Sequence, residues 1–223
     1  MKELFRLTLA LSVVATCAGI AIGFVHSRTA GKISYRQRQA QRQALETVFP
    51  PHTTVTSVEG RASAPHHYWV GTKGNDTVGY AFETAAGGYA QEVGIVVGVT
   101  PEGTILGISI LKQAETPGLG DRIEEVASSR YLWNALSPDT SSQEPWFCRQ
   151  FEGLDATESI EIRKSAEYHA LSRAEQESLK AENAVTAITG ATITTRAVVR
   201  AASQPIPSYL KAVRGQSASE AHP

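Results

Sequence analysis

Apolar residues are concentrated near the start of this 223-residue chain. The 19 residues from Leu7 to Val25 carry no formal charge and are rich in Leu, Val, Ala and Ile. As a helix, this run would be about 28 Å long, close to the thickness of a bilayer's hydrocarbon core. It is longer than the apolar core of a usual signal peptide and has no obvious cleavage site after it. The pattern therefore predicts an uncleaved transmembrane helix.

The centre of the chain shows the pattern of β-strands separated by turns. Gly74-Asn75-Asp76 and Pro101-Glu102-Gly103 are typical of hairpin turns. Strands are predicted at His52–Val58, Tyr68–Val70, Thr77–Glu83, Val93–Thr100 and Thr104–Leu111. Helices are predicted at Lys32–Val48, Ile123–Leu136 and Ser165–Asn183, and after Thr192. The fold class is α+β, with an antiparallel sheet and flanking helices behind one transmembrane helix.

These elements predict a division of the chain into five parts. Residues 1–6 form a short N-terminus, 7–25 the transmembrane helix and 26–51 a basic, Gln-rich juxtamembrane segment. Residues 52–214 form the folded domain, and 215–223 a disordered tail. The sequence does not decide on which side of the membrane the domain lies, because Lys2 and Arg6 precede the span while five basic residues follow it between Arg28 and Arg42.

Composition narrows the class of protein further. Hydrophobic residues make up 42% of the chain and charged residues 19%, which is enough for a packed core. The net charge is -1, with no clustered basic face typical of nucleic-acid binding. The two cysteines, Cys17 and Cys148, are not spaced as metal ligands are. No group of residues typical of acid–base or nucleophilic catalysis is evident. We expect neither a metal site nor a catalytic centre.

The stretch from Thr186 to Thr195 is the first candidate site. It reads Thr-Ala-Ile-Thr-Gly-Ala-Thr-Ile-Thr-Thr, and a helical pattern of Ile193, Ala197, Val198 and Ala201 follows until Pro205. Glycine permits close approach to a ligand, and the N-terminus of a helix attracts a phosphate. Taken alone, the same layout is also typical of an ordinary Thr-capped turn.

The second candidate site is the loop Glu115-Thr116-Pro117-Gly118-Leu119-Gly120. Two glycines and a proline favour an irregular backbone that could lie against a planar ligand, with Glu115 as an acceptor and Thr116 as a hydroxyl. A structural turn that joins a strand to a helix has the same composition.

Together these motifs resemble a known family. The chain is similar to the FMN-binding domain of the Rnf complex G subunit, and more distantly to the C subunit of the sodium-pumping NADH:quinone reductase. The matching segments, in order, are Gly87-Gly88-Tyr89, Val93–Thr100 with Gly103 and Ile105, Glu115–Gly120, the aromatic stretch Trp146, Phe147, Phe151 and Gly153, and Thr189-Gly190-Ala191-Thr192.

The resemblance implies a covalent flavin. In the family a flavin transferase joins FMN, taken from FAD, through its phosphate to the last Thr of the motif, which is Thr192 here. Thr189, Gly190 and Ala191 complete that motif, and the Glu115–Gly120 loop would hold the isoalloxazine, with Leu119 as an apolar contact. Thr194 and Thr195 also carry hydroxyls, so only the resemblance selects Thr192. The family commonly has Asp where this chain has Thr186, and we still expect modification.

The resemblance also implies a place in a larger assembly. It predicts an electron-transfer subunit of a complex that couples electron flow between ferredoxin and NAD to ion transport, with the domain on the periplasmic side of a bacterial inner membrane. Two alternatives stay open: a stand-alone extracytoplasmic FMN carrier for another reductase, and an anchored binding module without redox chemistry.

Overall fold

A computed structural model describes residues 2–60, 65, 67–126 and 145–220. The chain divides into two compact units, Met1–Arg42 and Gln43–Pro223. In the first unit all described residues are helical and nearly all are exposed. An 18-residue window there has a mean hydropathy of 2.2 and no buried residue, so by length and composition this helix could cross a membrane.

The helix α1 runs from Lys2 to Val48 without interruption. The sequence predicted two helices, Leu7–Val25 and Lys32–Val48, with the segment between them unassigned. No proline or strong turn signal separates the two, so the helical backbone continues through Arg28.

The second unit is built on an antiparallel sheet in which each strand pairs with the next along the chain. The strands are β1 Thr54–Glu59, β2 His67–Lys73, β3 Asp76–Gly87, β4 Glu92–Val99 and β5 Ile105–Lys112. The predicted turns lie at two of the connections, where Gly74 and Gly103 have φ angles of 66° and 113°. All five strand predictions are confirmed, with shifts at their ends.

The remaining elements are short, apart from the last two helices. They are a 3-10 helix at Gly120–Glu124, α2 Trp146–Arg149, β6 Glu161–Arg163, a 3-10 helix at Tyr168–Ala170, α3 Arg173–Ala181, β7 Ala184–Thr186, α4 Thr192–Ser203 and α5 Ile206–Glu220. Strands β6 and β7 form a separate parallel pair. Helix α5 continues to Glu220, where the sequence predicted a disordered tail from Gly215.

Two predicted helices differ from the structure. The single helix expected at Ser165–Asn183 is confined to α3, because Ser172 and Glu175 form a capping box that starts the helix at Arg173. Of the helix expected at Ile123–Leu136, the first two residues end a 3-10 turn at Glu124 and the next two are not helical, while residues 127–136 lie outside the described residues.

The core lies on both faces of strand β4, which lies between β3 and β5. Val93, Ile95, Val97 and Val99 are fully buried against the α2 and α4 side, and Val96 is buried on the opposite face. On that opposite face Val96 belongs to a second cluster, with Ala44, Leu45, Val48, Phe49, Trp69 and Ala81. Helix α4 packs against β3 and β4 with Ala197, Val198 and Ala201 among its buried residues. Its first turn lies beside the loop that follows β5, where Thr194 contacts Glu115.

Candidate functional site

The two candidate loops meet at one cavity of about 460 Å³. This volume lies in the range of small-molecule sites, about 300–1,000 Å³. Its lining comprises Tyr89, Glu115, Thr116, Leu119, Gly120, Gly190, Ala191, Thr192, Ile193 and Thr194. Seven of the ten predicted site residues are therefore together, although the loops are about seventy residues apart in sequence.

Three predicted residues do not line the cavity, and three lining residues were missed. Thr189, Pro117 and Gly118 are exposed, and each is next in sequence to a residue that lines the cavity. The missed residues are Tyr89, Ile193 and Thr194. Tyr89 stood in a matched segment, but nothing in the sequence connected that turn to the two loops. Ile193 has the helical spacing of a core residue, yet it is 47% exposed.

The loop before α4 is shaped by a glycine and a threonine. Gly190 has a φ of 81°, a conformation that glycine adopts without strain. The Thr195 hydroxyl accepts from the Ile188 N–H at 3.2 Å and donates to the Ala191 carbonyl at 3.1 Å. The helix itself begins at Thr192 without a side-chain cap. The predicted alternative of a Thr-capped turn is therefore wrong, and the first N–H groups of α4 stay open to an anion.

The three hydroxyls at the start of α4 have different surroundings. Thr195 is buried and engaged in the bonds just described, and Thr194 is buried and donates to Glu115 Oε2 at 2.5 Å. Thr192 is half-buried and lines the cavity, and within the described part of the chain its hydroxyl has no hydrogen-bond partner. Of these three hydroxyls at the start of α4, Thr192 therefore offers the free one to the cavity.

Glu115 joins three segments around the cavity. Its side chain is 6% exposed, and Oε1 accepts from the backbone N–H groups of Tyr89 at 3.0 Å and Ala90 at 3.1 Å. Oε2 accepts from Thr194, and the Glu115 N–H donates to Gln113 Oε1 at 2.8 Å. The sequence predicted an acceptor for a ligand, whereas these bonds already occupy the carboxylate within the protein.

An ion pair fixes the opposite side of the loop. Arg122, in the 3-10 helix after Gly120, donates to both carboxylate oxygens of Glu167 at 2.6 and 2.8 Å. This bond lowers the pKa of Glu167, and burial opposes the shift less strongly. The pKa of Arg122 is raised for the same reason. The nearby Thr189 N–H also lowers the pKa of Glu167, as the smallest contribution, so the pair lies close to both candidate loops.

Thr186 lies apart from the cavity. It is fully buried, its N–H and hydroxyl both donate to Gln150 Oε1 at 2.8 and 3.2 Å, and it is absent from the cavity lining. Thr186, which stands where the resemblance leads us to expect Asp, thus makes its hydrogen bonds with the uncharged side chain of Gln150 inside the protein.

A mononucleotide with a planar ring fits these features. The uncapped N-terminus of the 12-residue helix α4 suits a phosphate. Tyr89, Leu119 and Ile193, exposed by 70%, 44% and 47%, supply an apolar surface at the cavity for a ring. The fold and this cavity define a nucleotide-binding protein carried on a helix that could span a membrane.

Comparison with known proteins gives the family. The model of the FMN-binding domain family matches residues 88–206, so the chain belongs to that family. It is 28% identical over 222 residues to the G subunit of the Na+-translocating ferredoxin:NAD+ oxidoreductase complex of Acetobacterium woodii, covering 93% of this chain and 92% of that one. It is 30% identical to the G subunit of an ion-translocating oxidoreductase complex of Vibrio cholerae, covering 72% and 87%.

Among solved structures, NqrC of Shewanella oneidensis is similar to this chain, with 15% identity, a TM-score of 0.48, and coverage of 77% of this chain and 73% of that one. The predicted family and fold class are confirmed by the family match and by the antiparallel sheet with its flanking helices.

Proposed function

We propose that this protein is the G-type subunit of an Rnf-type complex, in which it relays electrons through an FMN bound covalently to Thr192. The relatives are named as subunits of complexes that couple oxidoreduction between ferredoxin and NAD+ to ion translocation. FMN supplies the redox chemistry, since it accepts and releases electrons, and the protein supplies its position and surroundings.

The free hydroxyl of Thr192 is the observation that carries the covalent attachment. A flavin transferase would join the phosphorus of the FMN moiety of FAD to Thr192 Oγ1, with cleavage of the pyrophosphate and release of AMP. The product is a phosphodiester with one negative charge, which the N-terminus of α4 stabilises by about 0.3–1 kcal/mol. The other lining residues would hold the cofactor: Gly190 and Ala191 would hold its phosphate, and Thr116 and Leu119 its ring.

Denaturing gel electrophoresis after co-expression with a flavin transferase tests the attachment. We expect a fluorescent band for the wild type and for Thr192→Ser, which keeps the hydroxyl, and none for Thr192→Val. Thr77→Val is the matched control, because that residue is exposed on β3, outside both the motif and the cavity lining. A fluorescent band in Thr192→Val, or a dark wild type, contradicts the assignment.

The proposal places the apolar part of α1, residues 7–25, in the inner membrane and residues 43–220 in the periplasm. The apolar, exposed window of α1 supports a membrane span, and the relatives named as G subunits support the orientation by analogy. Reporter fusions to the C-terminus test this: alkaline phosphatase is expected to be active and green fluorescent protein dark. The reverse pattern would place the domain in the cytoplasm, as a simple count of the basic residues favours.

Membership of a complex has its own test. Affinity purification of the full chain from detergent-solubilised membranes is expected to recover other membrane subunits. Recovery of the flavinylated chain alone would favour a stand-alone carrier.

A further inference from the structure

Tyr89 is the most exposed aromatic side chain at the cavity. It lies in the turn between β3 and β4, lines the cavity, and is 70% exposed. Covering a water-exposed aromatic ring with an apolar partner lowers the free energy, because apolar surface is removed from water. The sequence-based site did not include this residue.

The turn that carries Tyr89 is held rigidly from beneath. The Gly88 N–H donates to the Gln91 carbonyl at 2.8 Å, which closes the turn. The next two N–H groups, of Tyr89 and Ala90, both donate to the buried carboxylate of Glu115. A Cβ on Gly88 would lie 2.4 Å from Glu115 Oε1 and 2.7 Å from the Gln91 carbonyl oxygen, so glycine is required for this close approach.

The same carboxylate also holds the start of α4 through Thr194. Glu115 therefore sets the position of the Tyr89 backbone relative to the helix N-terminus where Thr192 lies. Leu119 and Ile193, both partly exposed, line the cavity together with Tyr89. A planar ligand in contact with these three side chains would remove apolar surface from water on each of them.

We propose that the Tyr89 ring forms one wall of the isoalloxazine site and that Glu115 is the positioning residue that holds it there. This inference rests on the proposed function, because it takes FMN as the occupant of the cavity. The flavin brings a flat aromatic system, and tyrosine rings pack against such systems in offset or edge-to-face contact.

Flavin fluorescence lifetime tests the contact. An excited isoalloxazine takes one electron from a phenol ring in contact with it, and the electron then returns, so no net oxidation occurs and the lifetime is shortened. Tyr89→Phe keeps the ring but is a much poorer electron donor, and we expect the lifetime to lengthen several-fold. Tyr80→Phe is the matched control, because Tyr80 lies on β3 against Phe82 and does not line the cavity.

The outcomes separate the two proposals. No Thr192-dependent flavin in any variant overturns the proposed function. Normal flavin attachment with an unchanged lifetime in Tyr89→Phe overturns the inference about Tyr89 alone.

The role of Glu115 is tested in the flavin-free protein by amide hydrogen exchange. We expect the Tyr89 and Ala90 amides to be protected in the wild type and to exchange much faster in Glu115→Ala. In Glu115→Gln, whose side-chain oxygen can still accept, we expect partial protection. If Glu115→Ala does not fold, the glutamine variant carries the test. Wild-type protection of both amides in every folded variant would overturn the positioning role.

Discussion

At the scale of single residues, burial and hydrogen bonding distinguish side chains that are alike in the sequence. Thr192, Thr194 and Thr195 carry the same hydroxyl, and the resemblance alone selected Thr192. The structure adds a physical reason, because Thr194 and Thr195 use their hydroxyls within the fold and Thr192 does not. Glu115 shows the opposite case, because the sequence indicated an acceptor that is free for a ligand and the structure shows a carboxylate that is already hydrogen-bonded. The partner Thr194 could not be predicted, because it is 79 residues away in sequence.

The Arg122–Glu167 pair predicts a pH-dependent stability. The pKa of Glu167 is lowered in the folded state, chiefly by the hydrogen bonds from Arg122. The contribution of the ion pair to the free energy of unfolding is therefore complete above the unfolded pKa of about 4.3. It is lost as the pH falls through the lower folded pKa of Glu167. We expect Glu167→Gln to lower the free energy of unfolding by about 1–2 kcal/mol at neutral pH.

Urea unfolding of residues 43–223 checks this prediction. The difference between wild type and Glu167→Gln should shrink as the pH falls below the unfolded pKa. A difference that stays the same across the acid range would show that the loss in the variant does not come from the ion pair.

At the scale of elements, the alternation of apolar residues and the turn chemistry predicted all five strands of the main sheet. Helices were harder, because a charged, helix-prone stretch does not show where a helix begins. At α3 the capping pair Ser172 and Glu175 decides the start. The meeting of the loops could not be derived from local patterns, because it depends on α4 packing against β3 and β4.

The close packing between loop and helix gives a prediction for Gly120. A Cβ at this position would lie 2.7 Å from Glu115 Cβ, Glu115 Oε2 and Thr194 Oγ1. Gly120→Ala must therefore displace the buried carboxylate, and we expect it to destabilise the domain by about 1–3 kcal/mol. Gly94→Ala is the control, since its nearest neighbour would be 3.6 Å away. Equal melting temperatures for the two variants would contradict this packing.

At the scale of the whole molecule, the sequence predicted a membrane-spanning segment and a folded domain, and the structure begins the domain at a different residue. Residues 26–51 were predicted to form a juxtamembrane segment, and the domain was predicted to begin at residue 52. In the structure the compact unit begins at Gln43. Leu45, Val48 and Phe49 are buried in one cluster with Trp69 and Val96, partners that are too distant in sequence to be identified from local patterns.

This boundary predicts how the domain responds to truncation. A chain that begins at Gln43 keeps the buried end of α1, whereas one that begins at His52 exposes Trp69 and the face of the sheet around Val96. Loss of the Phe49 contact alone is expected to cost about 3–5 kcal/mol. Urea unfolding of both chains measures the difference, and equal stability would mean that residues 43–51 are a linker.

The central claim is that Thr192 carries FMN. Peptide mass spectrometry across residues 184–196, after co-expression with a flavin transferase, tests it most directly because it reports both the added group and the residue that bears it. The account predicts the mass of one FMN in phosphodiester linkage, localised to Thr192. An unmodified peptide, or FMN on Thr189, Thr194 or Thr195, would contradict it.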